Sequence, residues 1–355
     1  MRVGVIGCGT IARRAHLPAL KSIDHVEIWA VADVNRKAAE RVAKKFNIPN
    51  VYADYKDLLK DETIEAVSIC APSFSHAEIA VESAKAGKHI LVEKPLAMNV
   101  KDAVKVVKSA KEHNVKLCCV FNYRYFPAAQ KAKEIITNGN LGDIVSIYGI
   151  AHTHFPISWT RSTWLYHKGG ALDDFGPHLI DMICWLNESE VEEVFALGGD
   201  FLGTTNFINY IQILMKFKNR SLAVADISWL TGSFLFVIDV HGTGGHLRLD
   251  VRYNHLEKFH GMRTPLDDFR SFRTRMTTIT KDVISKKFFR GALAFYKQIY
   301  EDFILSIEKG IKPPITGEEG LRVTAISEAA KISLAENRPV NISDLIKNYL
   351  DKRDG

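Results

Sequence analysis

From Met1 to about Phe121, short apolar runs alternate with amphipathic stretches. Val3–Ile6, Val26–Val31, Ala66–Ala71, His89–Val92 and Lys116–Phe121 are each too short for a buried helix. They are rich in Val and Ile, as strands covered on both faces are. Between them Ile11–Lys21, Arg36–Phe46, His76–Ala86 and Val100–His113 carry helical spacing, and Gly87-Lys88 closes the third of these. Strand–helix alternation predicts a parallel sheet wrapped by helices.

After Asn122 the rhythm changes. One helical pattern, Pro127–Thr137, ends at Asn138-Gly139. Strand-like runs come next at Asp143–Ala151, Val191–Leu197, Phe207–Phe217, Ser221–Trp229, Phe234–His241 and His246–Val251, interrupted by a helix around Pro177–Leu186. Short connections such as Lys218-Asn219 and Thr243-Gly244-Gly245 make this sheet mostly antiparallel. Two helical patterns, Ala292–Lys309 and Gly317–Glu336, close the chain. The expected fold class is α/β with two domains, residues 1–121 and 122–355, the second carrying a basic excursion at 252–290. A length of 355 residues fits two domains of roughly 100–200 residues each.

Composition narrows the picture without redirecting it. Net charge is +6 from 47 basic and 41 acidic residues, which permits an anionic ligand and gives no reason to expect nucleic acid. The five cysteines are odd in number and form no C-x-x-C, so neither a disulfide framework nor a structural zinc site is expected, and a reducing compartment fits. The chain opens directly on a strand pattern with no secretory leader, and no apolar run approaches the ~20 residues of a membrane span. A cytoplasmic protein is the expectation.

Residues 2–12 read as strand, glycine turn and helix, with the spacing G-x-G-x-x-A at Gly7, Gly9 and Ala12. Gly7 permits the tight turn, Gly9 lets the backbone approach a pyrophosphate, and Ala12 allows close helix–strand packing. The phosphates would then rest on the helix N-terminus around Thr10 and Ile11. The second strand ends in Asp33, 21 residues beyond Ala12. A carboxylate there accepts bonds from ribose hydroxyls and repels a 2′-phosphate, favouring NAD over NADP, although Arg36 nearby softens that preference. Alternatively, Asp33 caps the next helix.

The fourth strand ends in Cys70-Ala71-Pro72-Ser73 with His76 close behind, and the fifth in Glu93-Lys94-Pro95. Both ends should emerge at the ligand crevice of an open α/β sheet. A cis bond before Pro95 would aim Lys94 inward. These motifs, together with Gly169-Gly170-Ala171-Leu172-Asp173-Asp174-Phe175-Gly176-Pro177-His178-Leu179-Ile180-Asp181 and Asn122-Tyr123-Arg124-Tyr125-Phe126-Pro127, resemble the Gfo/Idh/MocA oxidoreductase family over essentially the whole chain. The resemblance implies a Rossmann NAD(P)-binding domain and a substrate-binding domain on an open, mostly antiparallel sheet that often mediates oligomers. It also implies NAD(P)-dependent oxidation of a secondary alcohol on a sugar, sugar derivative, nucleotide sugar or cyclitol. Asn35, Ala71, Pro72, Ser73, His76, Glu93, Lys94 and Asn122 join the candidate cofactor contacts.

The same resemblance assigns catalysis to Lys94, Asp174 and His178. The residues agree with it: Asp174 and His178 are four apart and so share a helical face, and Pro177 suits a first turn. A helix N-terminus disfavours the imidazolium and would keep His178 available as a base, with Lys94 stabilising the alkoxide and Asp174 orienting the lysine or the substrate hydroxyl. A desolvated lysine could also serve as the base. Arg124, His152, Arg161 and Trp164 are further substrate candidates. No carboxylate or cysteine spacing makes a metal site of His152, His154, His167 and His178, so His152 and His154 are expected to line a polar pocket or face solvent. Two other functions compete with a dehydrogenase forming a homodimer or homotetramer. One is a redox-neutral glycoside-processing enzyme that holds its NAD. The other is a non-catalytic dinucleotide-binding regulator.

Overall fold

The computed structural model describes residues 1–154, 170–203, 207–259 and 287–350. The chain divides into two units. One comprises residues 1–122 and 287–324, the other 123–286 and 325–355.

In the first unit β1 (Arg2–Ile6) runs through a π turn at Ala12–His16 into α1 (Leu17–Lys21). Then come β2 (Glu27–Ala32), α2 (Arg36–Phe46), β3 (Asn50–Tyr52), α3 (Tyr55–Leu59), β4 (Ala66–Ile69), α4 (His76–Lys85), β5 (His89–Glu93), α5 (Val100–Glu112) and β6 (Leu117–Val120). The six strands lie in the order β3-β2-β1-β4-β5-β6, every neighbouring pair parallel. Val5, Val31, Ile69, Ile90, Leu91, Val92 and Val120 are fully buried, which is why their runs show no polar alternation. The order reverses direction between β1 and β4, so the crevice above their carboxyl ends is where a ligand belongs. The five expected strands are present. The sixth, β3, is too short for its pattern to stand out.

The second unit starts with α6 (Pro127–Thr137), β7 (Ile144–His154), α7 (Ala171–Asp174) and α8 (Gly176–Asn187). Next come β8 (Val191–Gly199), β9 (Tyr210–Phe217), β10 (Leu222–Ser228), β11 (Leu230–Gly242), β12 (Gly245–Asp250) and β13 (His255–Phe259). The chain then enters α9 (Lys287–Glu308) and the first part of α10 (Gly317–Glu336), which belong to the first unit, and ends in β14 (Val340–Asn341) and α11 (Ile342–Leu350). The sheet order is β13-β12-β11-β7-β10-β9-β8-β14. Among the described residues all its ladders are antiparallel except β7 with β10.

Alternation along these strands separates two faces. Gly149 lies against α8, where a Cβ would come within 2.7 Å of Leu179. Ile147, Ala151, Ala223, Ala225 and Ile227 share the phase of Gly149 and are buried. The opposite face carries the exposed side chains of Tyr148, Leu214 and Leu222. Two features differ from the expected division. Residues 287–324 return to the first unit rather than staying in a 122–355 domain. The basic excursion also contains β13, paired with β12, and the start of α9, while residues 260–286 lie outside the described residues. A run of charges conceals a short strand whose partner is known only once the sheet is assembled.

Candidate active site

The glycine turn after β1 is shaped by what it touches. Gly7 has φ +95°, and a Cβ on it would come within 2.7 Å of the backbone of Cys70 and Ala71, so no side chain fits there. Gly9 differs: nothing lies within 4 Å of its Cβ position, which leaves room for a ligand to approach the backbone. The Asp33 carboxylate supports this loop. Its Oδ2 accepts from the Cys8 N–H at 2.7 Å and its Oδ1 from the Asn35 N–H at 2.8 Å. Burial, and then Asp33, push the Cys8 thiol up to about 12, so it stays protonated. Asn35 caps α2 by accepting from the Ala38 N–H, and Arg36 pairs with Glu40 at 3.0 Å. The alternative in which Asp33 caps this helix is set aside, because Asn35 is the cap. Arg36 is engaged along its own helix, as i,i+4 neighbours of opposite charge are.

At the carboxyl edge, Ala71, Pro72 and Ser73 come after β4, and Glu93, Lys94 and Pro95 close β5 across a cis Lys94–Pro95 bond. His76 is buried, with one ring nitrogen 2.8 Å from the Pro95 carbonyl and the other 2.8 Å from that of Ala71. Burial holds the ring neutral, so it donates to one of these carbonyls and packs against the other, sitting between the two strand ends. Glu93 is likewise turned inward. Its carboxylate accepts from Tyr296 Oη at 2.8 Å and the Lys94 N–H at 3.2 Å, and lies 2.8 Å from His16 Nε2. Asn122 lies just beyond β6 with a buried Oδ1 that has no hydrogen-bond partner among the described residues. Buried acceptors are normally satisfied, so this orphan, the open space at Gly9 and the partly exposed Asp33 fit a dinucleotide with amide and hydroxyl donors.

In the second unit, Gly176 and Pro177 open α8, and His178 stands in its first turn. Of the adjacent acids, Asp173 is held by Lys331 at 2.5 Å, while Asp174 stands one turn before His178. The Tyr123 ring stacks on the His178 imidazole with centroids 4.4 Å apart and planes at 12°, and it is backed edge-on by Phe236 at 4.7 Å. Burial, and then Asp174, raise the Tyr123 hydroxyl above its ordinary range, so it remains a neutral donor. The next residue, Arg124, makes a two-pronged pair with Asp181, with Nε to Oδ2 at 2.9 Å and Nη2 to Oδ1 at 2.5 Å. Both side chains are buried, at 6% and 1% exposure. Tyr123 and Arg124 thus grip α8 at two points one helical turn apart.

Arg124 was expected to meet substrate. Its guanidinium pairs with Asp181 and lies beside Trp185 in the packed interior. His152 was also expected in the substrate pocket. It shares the phase of Tyr148 and Ile150, on the sheet face away from α8, and its Nε2 meets Asp226 Oδ1 at 2.9 Å. One residue of strand phase decides the face. Arg161 and Trp164 lie outside the described residues, as does His167. Lys94 belongs to the first unit, and Asp174 and His178 to the second. Sequence reasoning passed over His16, Tyr123, Asp181, Tyr296 and Tyr300. Tyr123 and Asp181 had a signal, since both sit inside motifs already singled out. His16, Tyr296 and Tyr300 had none, because their partners are distant in the chain.

Comparison with known proteins gives the family and the fold. Residues 1–121 match the model of an oxidoreductase family with an NAD-binding Rossmann fold, and residues 129–248 match the GFO/IDH/MocA C-terminal domain. The chain is 28% identical to a myo-inositol 2-dehydrogenase of Thermotoga maritima, covering 98% of this chain and all of the relative. It is 30% identical to the Bacillus subtilis oxidoreductase YrbE, covering 96% of each. The crystal structure of a probable dehydrogenase from Thermotoga maritima superposes with a TM-score of 0.77 at 26% identity, covering 98% of this chain and all of that one. The protein belongs to the Gfo/Idh/MocA family of NAD-binding oxidoreductases.

Proposed function

We propose that the protein oxidises a secondary alcohol of a cyclic polyol or sugar, with His178 as the proton acceptor and Lys94 and Asp174 as its partners. The observation that carries this is the setting of His178: first turn of α8, one turn after Asp174, its ring plane fixed by Tyr123. The bound nicotinamide supplies the hydride acceptor. His178 takes the proton from the reacting hydroxyl. The Lys94 ammonium stabilises the alkoxide that develops as the O–H bond breaks, and Asp174 orients the lysine or the substrate. The substrate class is taken from the full-length relative named for myo-inositol. Buried, unbridged cysteines support a cytoplasmic enzyme, and the exposed side chains of Tyr148, Leu214 and Leu222 support a homo-oligomer built on that face of the sheet.

The test is His178→Ala. NADH affinity, measured by fluorescence, should stay within about threefold of wild type, while NADH formation on a panel of cyclitols and sugars falls by about 10²–10⁴. Turnover near wild type in the variant would remove His178 from this role. Tightly retained NAD with no net NADH formation on any polyol would move the reading to a redox-neutral enzyme.

A further inference from the structure

Beneath the Glu-Lys-Pro segment lies a closed polar network that the proposed chemistry does not itself use. His16 is fully buried. Its Nε2 lies 2.8 Å from Glu93 Oε1, and its Nδ1 lies 2.7 Å from Tyr300 Oη and 3.1 Å from Ser68 Oγ. Ser68 Oγ and Tyr300 Oη are 2.6 Å apart. Tyr296 Oη donates to the same Glu93 oxygen at 2.8 Å. The remaining oxygen, Oε2, accepts the N–H of Lys94. All these residues belong to the first unit.

His16 reaches this position through the π turn at Ala12–His16. Its wider hydrogen bonding inserts about one residue per turn and rotates the next turn by roughly 100°. Ala15, His16 and Leu17 are buried in succession there. A buried histidine–carboxylate pair is a costly way to gain stability, since apolar residues of similar volume often serve as well. What apolar residues cannot do is hold a peptide N–H. Here one carboxylate is gripped by the helix that opens on the glycine turn and by α9, and it fixes the backbone of Lys94.

We infer that His16 and Tyr296 are positioning residues for Lys94. They act through Glu93 and couple the lysine's placement to the helix that receives the dinucleotide. This rests on the role given to Lys94 above, so the test carries one readout that needs no substrate. The variants are His16→Leu, which breaks the bond to Glu93, His16→Gln, whose amide can donate to Glu93 and accept from Tyr300, and Tyr296→Phe, which removes one hydroxyl at constant shape. Each is assayed for NADH affinity, for kcat and KM with myo-inositol as probe, and for the rate at which an amine-reactive acylating reagent labels Lys94, read by peptide mass spectrometry against exposed Lys85.

His16→Leu and Tyr296→Phe should lower kcat by about tenfold or more while NADH affinity stays within about threefold. The Lys94 labelling rate should change by at least about threefold with Lys85 unchanged. His16→Gln should restore both. Should His16→Leu not fold, Tyr296→Phe decides alone. Unchanged Lys94 labelling in a folded variant, or losses of kcat and cofactor affinity in equal proportion, would overturn the inference. Altered labelling without turnover on any polyol, in wild type as well, would keep the positioning role and refute the substrate reading.

Discussion

Replacing Arg124 by methionine separates a brace from a substrate contact. The guanidinium donates twice to Asp181, and the two side chains are 6% and 1% exposed. This is the buried regime, in which removing one partner of an ion pair costs about 3–5 kcal/mol because the other charge stays desolvated without its counter-charge. For a unit of this size each kcal/mol corresponds to roughly 2–4 °C in Tm, so Arg124→Met should melt about 6–20 °C below wild type. Arg124→Lys should fall between, because an ammonium cannot match both carboxylate oxygens. Replacing both residues, Arg124→Met with Asp181→Leu, should recover most of the loss, since a volume-matched apolar pair removes the orphaned charge. The assay is thermal unfolding of the three variants, with NADH affinity as a control. An Arg124→Met protein that melts within about 2 °C of wild type and shows only a raised KM would refute the brace and return Arg124 to the substrate.

The glycine turn yields a paired prediction. Gly9→Ala should fold normally, as its Cβ meets nothing within 4 Å, but should weaken NADH binding by about tenfold or more because the methyl fills the space the pyrophosphate needs. Gly7→Ala should instead lose stability, its φ of +95° alone costing about 1–2 kcal/mol before the 2.7 Å overlaps are relieved. Wild-type affinity in the first variant, or wild-type melting in the second, would contradict this account. The His16–Glu93 pair sets a pH window for stability. Burial opposes the Glu93 carboxylate, but His16, Lys94 and Tyr296 outweigh it and hold it below its ordinary 4.5, so its contribution is present above that pH and is lost on acidification. Burial opposes the His16 imidazolium as well, yet Cys70, Tyr300 and Glu93 hold it well above its ordinary 6.5, so its contribution is full below that pH and is lost as pH rises through the raised value. The Tm margin of wild type over Glu93→Gln should therefore shrink toward acid and that over His16→Gln toward alkali. Margins independent of pH would show that the pair is not ionised.

Much of the site could be read from local sequence because its chemistry is local. Gly7, Gly9 and Ala12 lie between a strand and the helix they open, the local context that a dinucleotide fingerprint requires. Asp174 and His178 are one helical turn apart wherever the helix is placed. Elsewhere a side chain has two directions open to it and only packing chooses. Glu93 and His76 were assigned to the cofactor from their place at the sheet edge, yet their polar atoms face groups of the first unit. His152 missed α8 by a single residue of strand phase.

By itself, then, the sequence determined most of the elements, the parallel and mostly antiparallel sheets and the dinucleotide fingerprint, because each depends on periodicity and short-range spacing, and its longer motifs carried the resemblance to the family. Only the tertiary structure decided that Arg124 serves Asp181, that Tyr123 steadies His178, and that His16, Tyr296 and Tyr300 meet beneath Lys94. His16 and Tyr300 are 284 residues apart, and no local pattern encodes a hydrogen bond that forms only after α9 has returned to the first unit.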